Sequence, residues 1–118
     1  MTIEIQNGFK YNLQTFSGDS GSVTISGLPT DSQNYIVYLE IKGKVRIEKS
    51  VALNGASLCV FSFTPAETES LGVGSWEYGV KICDSTRGIE DTLIPDLRAS
   101  NKATFTVYPE RVKGTANG

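Results

Sequence analysis

Apolar residues recur at every second position along most of this chain, in short runs separated by Gly, Asn, Asp, Ser and Pro. That period is the mark of half-buried β-strands. Ile3 and Ile5 alternate within residues 2–6. Phe9, Tyr11 and Leu13 alternate with Lys10, Asn12 and Gln14 in a strand that runs to Phe16. Val23 and Ile25 mark a brief strand between Ser22 and Ser26. Tyr35, Val37, Leu39 and Ile41 form the inward set of a strand from Tyr35 to Lys42. Val45, Ile47 and Val51 do the same between Lys44 and Leu53, and Cys59, Phe61 and Phe63 between Ser57 and Thr64. Trp76, Tyr78, Val80 and Ile82 share one face, as do Ala103, Phe105 and Val107. Residues 89–94 read as an edge strand or an excursion, because Glu90, Asp91 and Pro95 disfavour a central position.

The breaks carry their own signals. Asn7-Gly8, residues 17–21, residues 27–34 and Gly43 are turn-rich. Asn54-Gly55 is a favoured two-residue hairpin turn, which places residues 57–64 antiparallel to the preceding strand. Thr64-Pro65-Ala66-Glu67 has the form of a helix start: Thr64 caps, Pro65 suits the first helical position, and Glu67 reaches back to the Thr64 N–H. Gly72 and Gly74 end that element after a single turn. The pattern therefore predicts an all-β fold, an antiparallel immunoglobulin-like β-sandwich of about seven to nine short strands with one single-turn helix. Residues 1–109 form the sandwich, and 110–118 read as a flexible tail or the start of a linker.

Composition narrows the function more than the fold. At 118 residues the chain is one domain. A net charge of −2 provides no basic footprint for nucleic acid. The N-terminus MTIEIQNG has neither the basic segment nor the apolar run of a secretory signal, and no run is long enough to span a membrane. The expected location of synthesis is therefore the cytosol. Two cysteines invite an immunoglobulin-type disulfide, but Cys59 shares the inward phase of Phe61 whereas Cys83 is out of phase with Ile82. A bridge between opposite faces is geometrically unfavourable.

Chemistry is hard to find. The chain has no histidine, which removes the commonest general base and metal ligand. Cys59 sits in an apolar strand with no activating partner. Glu67 with Glu69, and Glu90 with Asp91, are the paired carboxylates to weigh for glycoside hydrolysis. Glu67 belongs to the cap, and adjacent strand residues face opposite ways. Asp84, Asp91 and Asp96 fall in one loop region, but their spacing is that of turn formers and not of a calcium loop. The run Gly72-Val-Gly74-Ser-Trp76 enters a strand and not a helix, so it does not cradle phosphate. Trp76, the sole tryptophan, has a core phase; exposed, it would instead suit carbohydrate stacking. The expectation is no catalytic residue, no metal and no cofactor. Ile36 and Tyr38, and likewise Leu58 and Val60, lie opposite the main apolar faces of their strands. They mark either strands covered on both sides or a partner interface.

The order of motifs resembles a known family. Phe9-Lys-Tyr-Asn-Leu13, Val23-Thr-Ile-Ser-Gly27 and the strand from Tyr35 to Ile41 come first. Phe63-Thr-Pro-Ala-Glu-Thr68, Gly74-Ser-Trp-Glu-Tyr78-Gly-Val80 and Ala103-Thr-Phe-Thr-Val107-Tyr-Pro109 follow. Over residues 2–109 this is similar to the immunoglobulin-like N-terminal domain of phage baseplate upper proteins and related tail, neck and head-fibre proteins. The resemblance implies a non-enzymatic virion component assembled in the bacterial cytosol, which forms homo-oligomers or docks on other virion proteins. It also leaves room for contact with host-surface glycans. Members of the family continue into a longer fibre, so this chain is expected to be an excised domain or a small adaptor. The competing reading is a carbohydrate- or surface-binding module of a bacterial adhesin or enzyme.

Overall fold

The computed structural model describes residues 2–4, 12–94 and 103–110. Among these the chain forms nine strands and one helix. The strands are β1 (Thr2–Glu4), β2 (Leu13–Phe16), β3 (Gly21–Ser26), β4 (Ile36–Lys42) and β5 (Arg46–Ala52). They continue as β6 (Cys59–Phe63), β7 (Gly74–Asp84), β8 (Ile89–Ile94) and β9 (Thr104–Tyr108), with α1 (Pro65–Leu71) between β6 and β7. Three strands make one sheet in the order β1-β3-β6; the other runs β2-β9-β7-β4-β5, with β8 also paired to β7. One edge of β7 serves two partners, because its first residues pair with β9 and its last with β8.

The inward phase predicted from the pattern is the buried one. Val23 and Ile25, Val37, Leu39 and Ile41, Cys59, Phe61 and Phe63, Tyr78, Val80 and Ile82, and Phe105 and Val107 form one core fed by both sheets. Aromatic rings join the layers: Phe63 of the smaller sheet lies 5.7 Å from Phe105 of the larger, and Phe105 meets Tyr78 edge-on at 6.5 Å. Phe9 and Tyr11, expected on the first of these faces, lie outside the described residues.

Several expectations are corrected. The sheets are mixed and not antiparallel throughout: β1 runs parallel to β3, and β2 parallel to β9. Periodicity dictates which face a strand buries but is blind to the direction of its neighbour. Asn54-Gly55 does form a tight turn, with positive φ at both residues (51° and 89°) and the Ala56 N–H bonded to the Leu53 carbonyl at 2.9 Å. It does not close a hairpin, however. β5 pairs with β4 and β6 pairs with β3, so the turn carries the chain from one sheet to the other. Val45, expected in a strand, is exposed in the turn before β5. The helix is seven residues, not a single turn, which amounts to about two turns.

That helix starts as its sequence dictates. Thr64 Oγ1 accepts from the Glu67 N–H at 3.2 Å, and Glu67 Oε1 accepts from the Thr64 N–H at 2.9 Å. The same carboxylate pairs through Oε2 with Lys49 Nζ at 2.8 Å, which ties the helix to β5. Thr68 is buried in α1. It donates to the Asp19 carbonyl at 2.8 Å and accepts from the Gly18 N–H at 3.2 Å. The corner is thus cross-braced to the β2–β3 loop. Thr64→Ala removes one arm of the cap and should cost about 1 kcal/mol in a urea titration. A loss indistinguishable from zero would mean that the cap contributes nothing.

Candidate binding face

The outer face of the larger sheet is read most simply as rows across its strands. Ser50 of β5, Tyr38 of β4, Lys81 of β7 and Thr92 of β8 stand side by side. The next row is Glu48, Glu40 and Gly79, and the one beyond is Arg46, Lys42 and Glu77. On the other side of Tyr38 come Ala52, Ile36, Cys83 and Glu90. Alternation along β4 forces this arrangement: with Val37, Leu39 and Ile41 turned into the core, Ile36, Tyr38, Glu40 and Lys42 must point out.

Tyr38 is 43% exposed and sits where three shallow depressions meet. The one of about 420 Å³ lies toward β7 and β8, between Tyr38, Glu40, Glu77, Lys81 and Thr92. Its floor opens at Gly79, which has no side chain to set against Glu40 across the strand pair. A Cβ at Gly79 would stand 3.2 Å from the Ile94 carbonyl oxygen, so close packing of the β8 backbone also favours glycine there. The second depression, about 400 Å³, lies toward β5 along Glu40, Glu48 and Ser50. The third, about 520 Å³, runs past Lys81 to Cys83 and Glu90.

The charges around Tyr38 neutralise one another. Glu40 holds Arg46 at 3.0 Å and Lys42 at 3.8 Å, and Arg46 also reaches Glu48 at 3.5 Å. Lys81 bonds Glu90. This bond holds the lysine above its ordinary pKa and the glutamate below its own. Such exposed pairs add little to stability. Their effect here is to orient donors and acceptors around the ring.

The four residues expected at a partner interface are not brought together. Ile36 is half-buried and Tyr38 exposed on the larger sheet; Leu58 and Val60 are exposed on or just before β6, in the smaller sheet. Each pair therefore lies on the outer face of a different sheet. Trp76 keeps the predicted phase but only half its burial: it packs against the core margin, and its indole N–H donates to the Gly72 carbonyl at 2.7 Å. Its edge is engaged at the helix end, so it is not a free platform. Cys59 is buried, which pushes its thiol up to about 11, while Cys83 lies half-buried on the outer face of β7. Neither is an activated nucleophile.

Of the three aspartates assigned to one loop region, Asp84 and Asp91 are both in strands, Asp84 ending β7 and Asp91 within β8. Asp91 is exposed on β8 and Asp96 lies outside the described residues. Asp84 is fully buried and accepts from Ser32 Oγ (2.7 Å), the Thr86 N–H (3.1 Å), Thr86 Oγ1 (2.6 Å) and Arg87 Nε (2.8 Å). Arg87 continues to Asp31 at 3.1 Å and to the Tyr35 hydroxyl at 2.7 Å. These bonds hold the Asp84 carboxyl well below the usual carboxylate range. The network pins the loop before β4 to the turn after β7, and Asp84 has a structural role that the sequence pattern did not expose. Among the described residues no group of three or more His, Cys, Asp or Glu side chains could hold a metal ion. No helix among them is long and apolar enough to cross a membrane.

No protein-family model matches the chain, and no curated protein matches it either. Among solved structures the chain is similar to the N-terminal domain of phage TP901-1 ORF48, at 17% identity and a TM-score of 0.49. The match covers 93% of this chain and 95% of that one.

Proposed function

We propose that this domain is a non-enzymatic structural module of a phage or prophage particle, placed in a baseplate, neck or head appendage, and that it works through protein–protein contacts. The observation that carries the reading is the order of motifs from Phe9 to Pro109. Its most specific part is Phe63-Thr-Pro-Ala-Glu-Thr68 followed by Gly74-Ser-Trp-Glu-Tyr78. Those residues build one braced corner: the cap at Thr64 and Glu67, the Thr68 bonds to the β2–β3 loop, and the Trp76 bond to Gly72. In this reading the two sheets form an immunoglobulin-like sandwich, and the outer faces at Ile36 and Tyr38 and at Leu58 and Val60 meet other virion proteins or further copies of the chain. The module is assembled in the bacterial cytosol and leaves with the particle.

Particles released by a strain that encodes the chain, banded on a density gradient, test the proposal. The chain should co-migrate with the particle band and stay there through a high-salt wash. Recovery only from the soluble fractions at the top of the gradient would overturn it.

A further inference from the structure

The turn that carries the chain from the larger sheet to the smaller holds a reactive pair of groups. We propose that Asn54 is a site of spontaneous deamidation in the folded protein, with water as the only co-reactant. The Gly55 nitrogen attacks the Asn54 side-chain carbonyl carbon and a new C–N bond forms. The proton lost by that nitrogen ends on the departing amide nitrogen, which leaves as ammonia. The resulting five-membered imide takes up one water. Cleavage of the new C–N bond gives aspartate. Cleavage of the original peptide bond gives isoaspartate, with the main chain now running through the former side chain. Nothing is oxidised or reduced.

The local structure favours each part of this step. Gly55 has no side chain to crowd the attacking nitrogen. Its N–H makes no hydrogen bond among the described residues, and the Asn54 side chain makes none either. Asn54 is exposed, so water reaches the imide. One backbone bond closes the turn, from the Ala56 N–H to the Leu53 carbonyl at 2.9 Å. Opening it lets Asn54 rotate out of its positive φ of 51°, a left-handed conformation that costs an L residue energy. The flanks stay anchored meanwhile, because the Leu53 N–H bonds the Tyr35 carbonyl and the Leu28 N–H bonds the Ser57 carbonyl, both at 2.9 Å. Asn34 is the contrast: its side chain donates to Thr86 Oγ1 at 3.3 Å, and the bulky Tyr35 follows it. The product matters for the fold. Isoaspartate adds one carbon to the main chain where β5 and β6 part to different sheets, and one negative charge to a net −2.

The test ages the folded full-length chain beside an end-blocked synthetic peptide of residues 50–58, in the same mildly alkaline buffer. Peptide mapping by mass spectrometry, with electron-transfer fragmentation, separates isoaspartate from aspartate. Asn54 in the folded chain should convert within about tenfold of the peptide's rate, which the unfolded minority of a stable domain, roughly one molecule in a thousand or fewer, could not sustain. Asn34 should stay intact over the same period. A slower rate at Asn54, or equal conversion at Asn34, would overturn the proposal. Aspartate without isoaspartate would overturn the imide route. The charge-shifted fraction from anion exchange should melt below Asn54→Asp, which carries the same added charge on a normal backbone. Equal melting would overturn the consequence for the turn.

Discussion

Phe105→Ala should lower the unfolding free energy by about 3–5 kcal/mol, the range for a large aromatic removed from a packed core. Phe105 is 1% exposed and its ring stands between Phe63 of the smaller sheet and Tyr78 of its own. Its loss removes transfer free energy and leaves a void that rigid strands on either side close poorly. Against a total stability of about 5–15 kcal/mol, such a change takes a large share. Urea titration measures it, and an unchanged slope would show that the loss is one of stability rather than of compactness. Phe105→Leu, which keeps most of the volume, should cost under about 1.5 kcal/mol. A deficit below about 1 kcal/mol for the alanine variant would mean that the sheets are not joined through this ring.

Asp84→Asn should be the more damaging of the polar changes, for a reason of hydrogen-bond arithmetic. One carboxylate oxygen accepts from the Thr86 N–H and Oγ1, and the other from Ser32 Oγ and Arg87 Nε. An asparagine amide has one acceptor and one donor end, so whichever way it turns, its NH2 faces an N–H donor. The melting temperature at pH 7 should fall by roughly 10 °C, since more than one charge-assisted bond is lost.

The pH dependence follows from the same geometry. The folded pKa of Asp84 is depressed, so its stabilisation is complete above the unfolded value of about 3.9 and drains away as pH falls below it. Wild-type protein should therefore lose stability steeply below about pH 4. The asparagine variant should start lower and fall less. Some slope remains, because Asp31, Glu67 and Glu90 are also held below their ordinary values. Thermal melts between about pH 7 and pH 2 separate the cases. Parallel curves for the two proteins would show that Asp84 is not a stabilising hub.

The strand faces were legible because a half-buried strand must alternate. Val37, Leu39 and Ile41 are buried as a set, and so are Cys59, Phe61 and Phe63. The cap at Thr64 was legible because its partners are only three residues apart. What stayed hidden is non-local. Nothing in residues 46–63 shows that β5 and β6 part at Asn54-Gly55 and join different sheets. The parallel course of β1 and β2 is equally silent in their periodicity. Arg87 and Tyr35 are 52 positions apart, and neither carries a local signal that it meets the other. Trp76 has the face its phase implies but less depth, since alternation does not tell how far a residue near the start of β7 lies from the core's centre.

The outer surface was legible only in pieces. Ile36, Tyr38, Leu58 and Val60 stood out by phase, yet which of them share a surface depends on sheet membership. Gly79 carries no signal in the sequence pattern, although its place opposite Glu40 opens the depression beside Tyr38.

We propose that this domain is a built-in part of a particle. Quantitative mass spectrometry of particles banded twice on a density gradient tests it most directly. Peptides of this chain are expected at a constant molar ratio to the major tail or head proteins in both bands. Absence of the chain, or a ratio that falls on the second banding, would contradict it.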